Sequence, residues 1–83
     1  MIINKNIIAR DIQGDTVLLN MITGDYFSLN SVGTDIYDCI VNKMDQSAIL
    51  AFLLEKYNVD SEILTQDTVS LLNKLKENGI IED

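Results

Sequence analysis

At about residue 30 the apolar residues of this 83-residue chain change their period, and that switch limits the fold more than any other feature. Upstream, Ile2, Ile3, Ile7, Ile8 and Ile12 are β-branched and sit near Asn and Gly breakers, the signature of short strands. Gln13-Gly14-Asp15 reads as a turn, Thr16-Val17-Leu18-Leu19-Asn20 as a strand, and Thr23-Gly24-Asp25 as the next turn. Asp25-Tyr26-Phe27-Ser28-Leu29 follows as the third strand, closing a hairpin. Strand alternation puts Phe27 and Leu29 on one face and Tyr26 and Ser28 on the other.

Downstream, the spacing becomes helical. Asn30 or Ser31 is a good N-cap for a helix carrying Val32, Ile36, Cys39 and Ile40. Asp45 caps a second, with Ile49, Leu50, Phe52, Leu53, Leu54 and Tyr57. Its wide apolar arc predicts a place in the middle of the helical layer. A third starts near Ser61 and aligns Leu64, Thr68, Leu71, Leu72 and Leu75. Gly79 suits the position after its C-terminus, with Lys74 and Lys76 in the last turn. Ile80 and Ile81 then pack back or extend as a short tail. Three strands followed by three helices is an α+β order, and so small a sheet must bury one face on the helices. The whole chain, residues 1–83, reads as one domain, since no linker or repeat divides it.

Composition removes several kinds of function. There is no His, hence no Ser–His or Cys–His nucleophile pair and no imidazole metal ligand. The four Gly residues are too dispersed for a phosphate loop. Asp35 with Asp38, and Glu62 with Asp67, are carboxylate pairs without a partner that would make them a metal or acid–base site. No cofactor and no catalytic residue is expected. The net charge of −7 disfavours a nucleic-acid partner and an anionic membrane. Cys39 is alone and reads as a small buried hydrophobe. With no signal-like or membrane-spanning run, the expected location is the cytoplasm.

One arrangement points to binding. If the third strand is the sheet edge, its unpaired N–H and C=O groups can receive an extended peptide. On helix three, Val69 lies about 120° from Leu64 and Leu75, with Leu72 between them. Val69, Leu72 and the stem of Lys76 are then the expected wall of a groove beside the strand.

The run Leu19-Asn20-Met21-Ile22-Thr23-Gly24-Asp25-Tyr26-Phe27-Ser28-Leu29-Asn30 resembles the hairpin of the PqqD family. Val32 to Ile40 resembles its first helix, and Ser47-Ala48-Ile49 through Tyr57-Asn58-Val59 its second. Asp67, Leu71, Leu72, Leu75, Gly79, Ile80 and Ile81 fall in register with its third helix and tail. There are two departures. Asn42-Lys43-Met44-Asp45 replaces a common Asp-Gly after the first helix, and Thr68 stands where a branched apolar residue often follows the Asp.

The resemblance, which spans roughly residues 9–83, implies a winged helix-turn-helix-like domain with a three-stranded antiparallel sheet and three helices. Such domains are RiPP recognition elements, which bind the leader of a ribosomally made precursor peptide and present the remainder to a modifying enzyme. The resemblance implies that the leader adds to the third strand, at Tyr26, Phe27, Ser28, Leu29 and Asn30. It implies that the leader also contacts Asp67, Thr68, Leu71, Leu72 and Lys76 on helix three, with Val69 a further contact. The implied enzyme partners are a leader protease and cyclase, as in lasso-peptide synthesis, or the radical enzyme of pyrroloquinoline quinone synthesis. The lasso or a related peptide pathway is favoured. A homodimer paired through the strand edge and a winged-helix DNA-binding protein are the competing readings. Charge weighs against the second.

Overall fold

The computed structural model describes residues 1–82. The expected α+β architecture is present: strands β1 (Ile2–Ile3), β2 (Ile7–Ile12), β3 (Asp15–Asn20) and β4 (Tyr26–Leu29) precede helices α1 (Ser31–Val41), α2 (Gln46–Lys56) and α3 (Ser61–Glu77). A last strand, β5 (Ile81–Glu82), ends the described chain. β2, β3 and β4 form an antiparallel sheet in that order, with Leu18 opposite both Ala9 and Phe27, and Thr16 opposite Leu29. One face, carrying Leu18 and Leu29, is buried against the helices. There it joins Ile36 and Ile40 of α1, Ile49 and Leu53 of α2, and Leu64, Leu72 and Leu75 of α3.

The first Ile pair does not belong to this sheet. β1 pairs with β5 in a separate two-stranded sheet, Ile2 opposite Glu82 and Ile3 opposite Ile81. Asn4 reinforces the join: its N–H donates to the Ile80 carbonyl at 2.8 Å and its side-chain amide to Gly79 at 3.1 Å. The two ends of the described chain are thereby tied together under α3.

Each helix begins at a side chain suited to capping. Asn30 accepts from the Gly33 N–H, Asp45 from Ala48, and Asp60 from Glu62 and Ile63, between 2.9 and 3.1 Å. Such a cap stabilises by about 1 kcal/mol. Contrary to the expectation for a central helix, α2 buries only Ile49 and Leu53 completely. Phe52 and Leu54 are 40% and 42% exposed, because α2 rests by a single side on α1 and α3 and no other described element packs closely on its back.

α1 and α3 end in the same motif. After α3, Gly79 N–H donates to the Lys76 carbonyl and Ile80 N–H to Leu75, with Gly79 at φ +70°. After α1, Lys43 N–H donates to Ile40 and Met44 N–H to Cys39, with Lys43 at φ +64°. Both are Schellman closures, whose left-handed residue is normally Gly. The first family departure therefore puts a lysine where its Cβ opposes the backbone. The second departure has a different cost. Thr68 is fully buried, and its hydroxyl finds no hydrogen-bond partner among the described residues, a condition that costs about 1–3 kcal/mol.

Two stabilising substitutions follow. Lys43→Gly should raise the unfolding free energy by about 0.5–1 kcal/mol, and Thr68→Val by about 1 kcal/mol. Gly79→Ala should lower it by about 1 kcal/mol. Urea midpoints of the purified variants check all three, and unchanged midpoints would contradict the strain assignments.

Candidate functional site

β4 is an edge of the sheet, and the hydrogen-bond alternation decides which of its groups are available. Asn20 N–H donates to the Asp25 carbonyl at 2.8 Å, in line with the β3–β4 register. Bonded and non-bonded pairs alternate in an antiparallel ladder. The pairs Leu18–Phe27 and Thr16–Leu29 are therefore the bonded ones. Tyr26 and Ser28 point their N–H and C=O groups away from β3, towards the open side. Their side chains lie on the solvent face, Tyr26 being 74% exposed.

A cleft of about 440 Å³ runs beside this edge, lined by Asp15 of β3, Phe27, Ser28 and Leu29 of β4, Asn30 and Gly33, and by Leu71 and Lys74 of α3. A second cleft of about 390 Å³ continues from it between α1 and α3. Asn30, Gly33, Leu71 and Lys74 line both, and the second adds Val32, Ile36, Tyr57, Val59, Ile63, Leu64, Asp67 and Ser70. Val59 and Ile63, each more than half exposed, are the rim of this second cleft rather than scattered surface residues.

The junction works because β4 passes into α1 through Asn30 alone. Asn30 caps α1, and the first helical turn comes close to the strand: a Cβ on Gly33 would sit 3.2 Å from both Cβ and Cδ2 of Leu29. Glycine at this position thus permits the approach that shapes both clefts. Thr34 adds a hydroxyl–hydroxyl bond of 2.9 Å to Thr16 of β3.

On the far wall, Tyr57 donates its hydroxyl to Asp35, and Lys56 Nζ lies 2.9 Å from the same carboxylate oxygen. The end of α2 is thereby fastened to α1. Partial burial acts to raise the Asp35 carboxyl, but the bonds from Tyr57 and Lys56 and the Lys56 charge outweigh it and hold the carboxyl below its usual range. The Asp35 carboxylate pushes the Tyr57 hydroxyl up. Asp35 is thus a structural partner in an ion pair. Cys39 is buried, and burial raises its thiol.

The sequence-derived residues divide into three groups. Phe27, Ser28, Leu29, Asn30, Asp67 and Leu71 line one cleft or both, and Tyr26 stands at the open edge. Thr68 and Leu72 are instead in the core, 0% and 3% exposed, because they lie at the centre of the buried face of α3. Val69 and Lys76 line neither cleft. Each residue advances about 100° around a helix, which places Val69 and Lys76 on the opposite shoulder of α3 from Ile63, Asp67 and Lys74. Beside the strand, the wall expected of Val69, Leu72 and Lys76 is therefore formed by Leu71 and Lys74, and Asp67 and Ser70 line only the cleft between α1 and α3. Lys74, Gly33 and Asp15 are cleft residues that the sequence reading missed. The spacing Asp67, Leu71, Lys74 was the available signal for the first, since it runs down one helix face.

The fold and site define a small α+β domain with an open strand edge walled by its last helix. Residues 15–81 match the model of the family described as coenzyme PQQ synthesis protein D, and the chain belongs to that PqqD family. Two solved structures share its fold closely. TbiB1 in complex with the TbiA(beta) leader peptide is 27% identical, with a TM-score of 0.91 over 99% of this chain and 95% of that one. Lasso peptide synthetase B1 complexed with the leader peptide is 25% identical, with a TM-score of 0.87 over 98% and 95%. No curated protein matches the sequence. No helix among the described residues is long and apolar enough to cross a membrane.

The Asp35 pair sets a pH dependence. A carboxyl held low in the folded state adds stability above its unfolded value of about 4, which is lost as pH falls through the folded value. Asp35→Asn should therefore lower stability at pH 7 and close the gap to the wild type below about pH 4. Urea denaturation at pH 7 and pH 3 measures this, and parallel losses at both would remove Asp35 as the cause.

Proposed function

We propose that this protein captures the leader of a ribosomally made precursor peptide as a fourth strand on β4 and presents the remainder to modifying enzymes. The observation that carries the reading is the pairing of two features at one place. Tyr26 and Ser28 turn their backbone groups outward, and the space beside them is a cleft whose other wall is Leu71 and Lys74. Backbone pairing supplies affinity without regard to sequence, and the cleft selects side chains. The structural relatives, both bound to leader peptides, support the same reading.

In this reading the protein is an accessory binder rather than an enzyme and works in the cytoplasm, where precursor peptides are made. Its partners are then a leader protease and a cyclase of a lasso pathway. The lasso assignment is favoured over a radical-enzyme pathway by what the two relatives are. A homodimer through β4 would use the same edge, so peptide and second copy would compete for it. Of the contacts first expected on α3, Asp67 and Leu71 are retained. Thr68 and Leu72 act from behind by holding the wall, and Val69 and Lys76 have no direct part.

The test is an NMR titration of labelled protein with the leader half of the precursor encoded beside its gene. Shifts should concentrate in residues 26–30 and 63–74, and shifts spread elsewhere or absent would contradict strand addition. Ser28→Pro sharpens the test. It removes an N–H that faces outward, leaving the β3–β4 ladder intact, as proline on an edge permits. Leader binding should weaken by about tenfold or more while the circular dichroism spectrum stays unchanged. Wild-type affinity in this variant would exclude the β4 edge.

A further inference from the structure

We propose that Lys74 reads a carboxylate side chain of the captured peptide and so sets the register in which the peptide lies; this rests on the peptide-capture reading. Lys74 lines both clefts and is the only cationic side chain lining either one among the described residues. It has no ion-pair partner among those residues, whereas Lys56 is committed to Asp35. Two acids bracket it: Asp15 belongs only to the strand-side cleft and Asp67 only to the α1–α3 cleft. Along the groove the charges therefore run negative, positive, negative.

That order has a consequence on a protein of net charge −7. An acidic peptide residue is repelled almost everywhere on such a surface, so the one cation in the groove is a selective place for it. Leu29 and Leu71 line the same cleft, and a peptide laid against them covers the pair from water, which strengthens the attraction beyond that of an open surface pair. Strand addition satisfies the peptide carbonyls that face the outward N–H groups of Tyr26 and Ser28, and a full carboxylate charge attracts Lys74 more strongly than the remaining carbonyls do. A one-residue slip turns the acid to the opposite face of the strand, away from Lys74, and a two-residue slip carries it along the groove towards Asp15 or Asp67, where it is repelled. The preferred ligand is an extended segment with a single Asp or Glu opposite Lys74 and neutral or basic residues on either side.

A display library of random 12-residue peptides tests this without knowledge of the natural precursor. It is selected on the wild type, on Lys74→Glu and on Lys76→Glu, each first shown to be folded by circular dichroism. Lys76 lies on the same helix but outside both clefts, so its variant controls for net charge. The wild type and Lys76→Glu should enrich peptides with Asp or Glu at one fixed position, and Lys74→Glu should replace that acid with Lys or Arg. A synthetic wild-type binder should lose about tenfold in affinity for Lys74→Glu. Changing its acid to the amide should cost about fivefold on the wild type and almost nothing on Lys74→Glu. Enriched peptides with the same consensus on all three proteins, or losses that simply add, would overturn the role of Lys74 and leave peptide capture standing. Failure of every protein to enrich any peptide would overturn the capture reading and this inference together.

Discussion

The passage from β4 to α1 through a single residue is the constraint on which the site depends. Leu29 is the last residue of the strand and buried; Ser31 is the first of the helix. Asn30 lies between them with extended backbone angles and closes the first helical turn with its own side chain. With no loop to absorb error, the direction of the edge strand and the axis of α1 are locked together. α3 packs on α1 and on the C-terminal strand, so its position relative to β4 follows from theirs. The cleft is a fixed distance between a strand and a helix that hardly touch each other. Such preorganisation is worth having in a binder whose ligand arrives disordered, because the peptide alone then bears the ordering cost.

Much of this was legible in the sequence, and the failures have physical causes. The strand and helix order, the N-caps of the first two helices and the sharing of a face by Phe27 and Leu29 follow from local chemistry. β1 was misassigned because two residues at one end pair with two at the other, and nothing local marks so distant a partner. α2 was misplaced because Phe52 and Leu54 widen its apolar arc without being covered. The shoulder of α3 expected to wall the groove differs from the one that lines the clefts for a similar reason. Val69 on one side and Ile63 on the other both offer an apolar residue beside the buried stripe. Periodicity does not distinguish them, and only the path of β4 into α1 does. Asp67 and Leu71 came from the family resemblance and lie on the shoulder that lines the clefts.

The two departures from the family pattern lie away from the clefts. Lys43 closes α1 in a left-handed conformation at the far end from Asn30, and Thr68 turns its hydroxyl into the core. Both are local costs in a domain too small to have much stability to spare. Neither changes a residue that lines the groove. Their effect is on how often the domain is folded, not on what the folded domain selects, and the two properties can be altered separately.

The sheet's two edges are treated differently, and the difference bears on function. β2 carries Arg10 and Asp11, both exposed, along its outer edge. Charged residues there discourage pairing with another strand, the usual protection of an exposed edge. β4 has no charged residue from Tyr26 to Leu29, and its outward backbone groups face a cleft rather than open solvent. Its protection comes from elsewhere. The strand is four residues long, and the cleft admits a partner only if that partner's side chains fit against α3. An edge kept uncharged, short and walled on one side is poorly suited to indiscriminate aggregation and well suited to one extended ligand at a time. Nothing about the stability of the domain requires β4 to remain open, since a charge at Ser28 would lie on the solvent face at little cost. The absence of that charge suits the strand addition proposed for this edge.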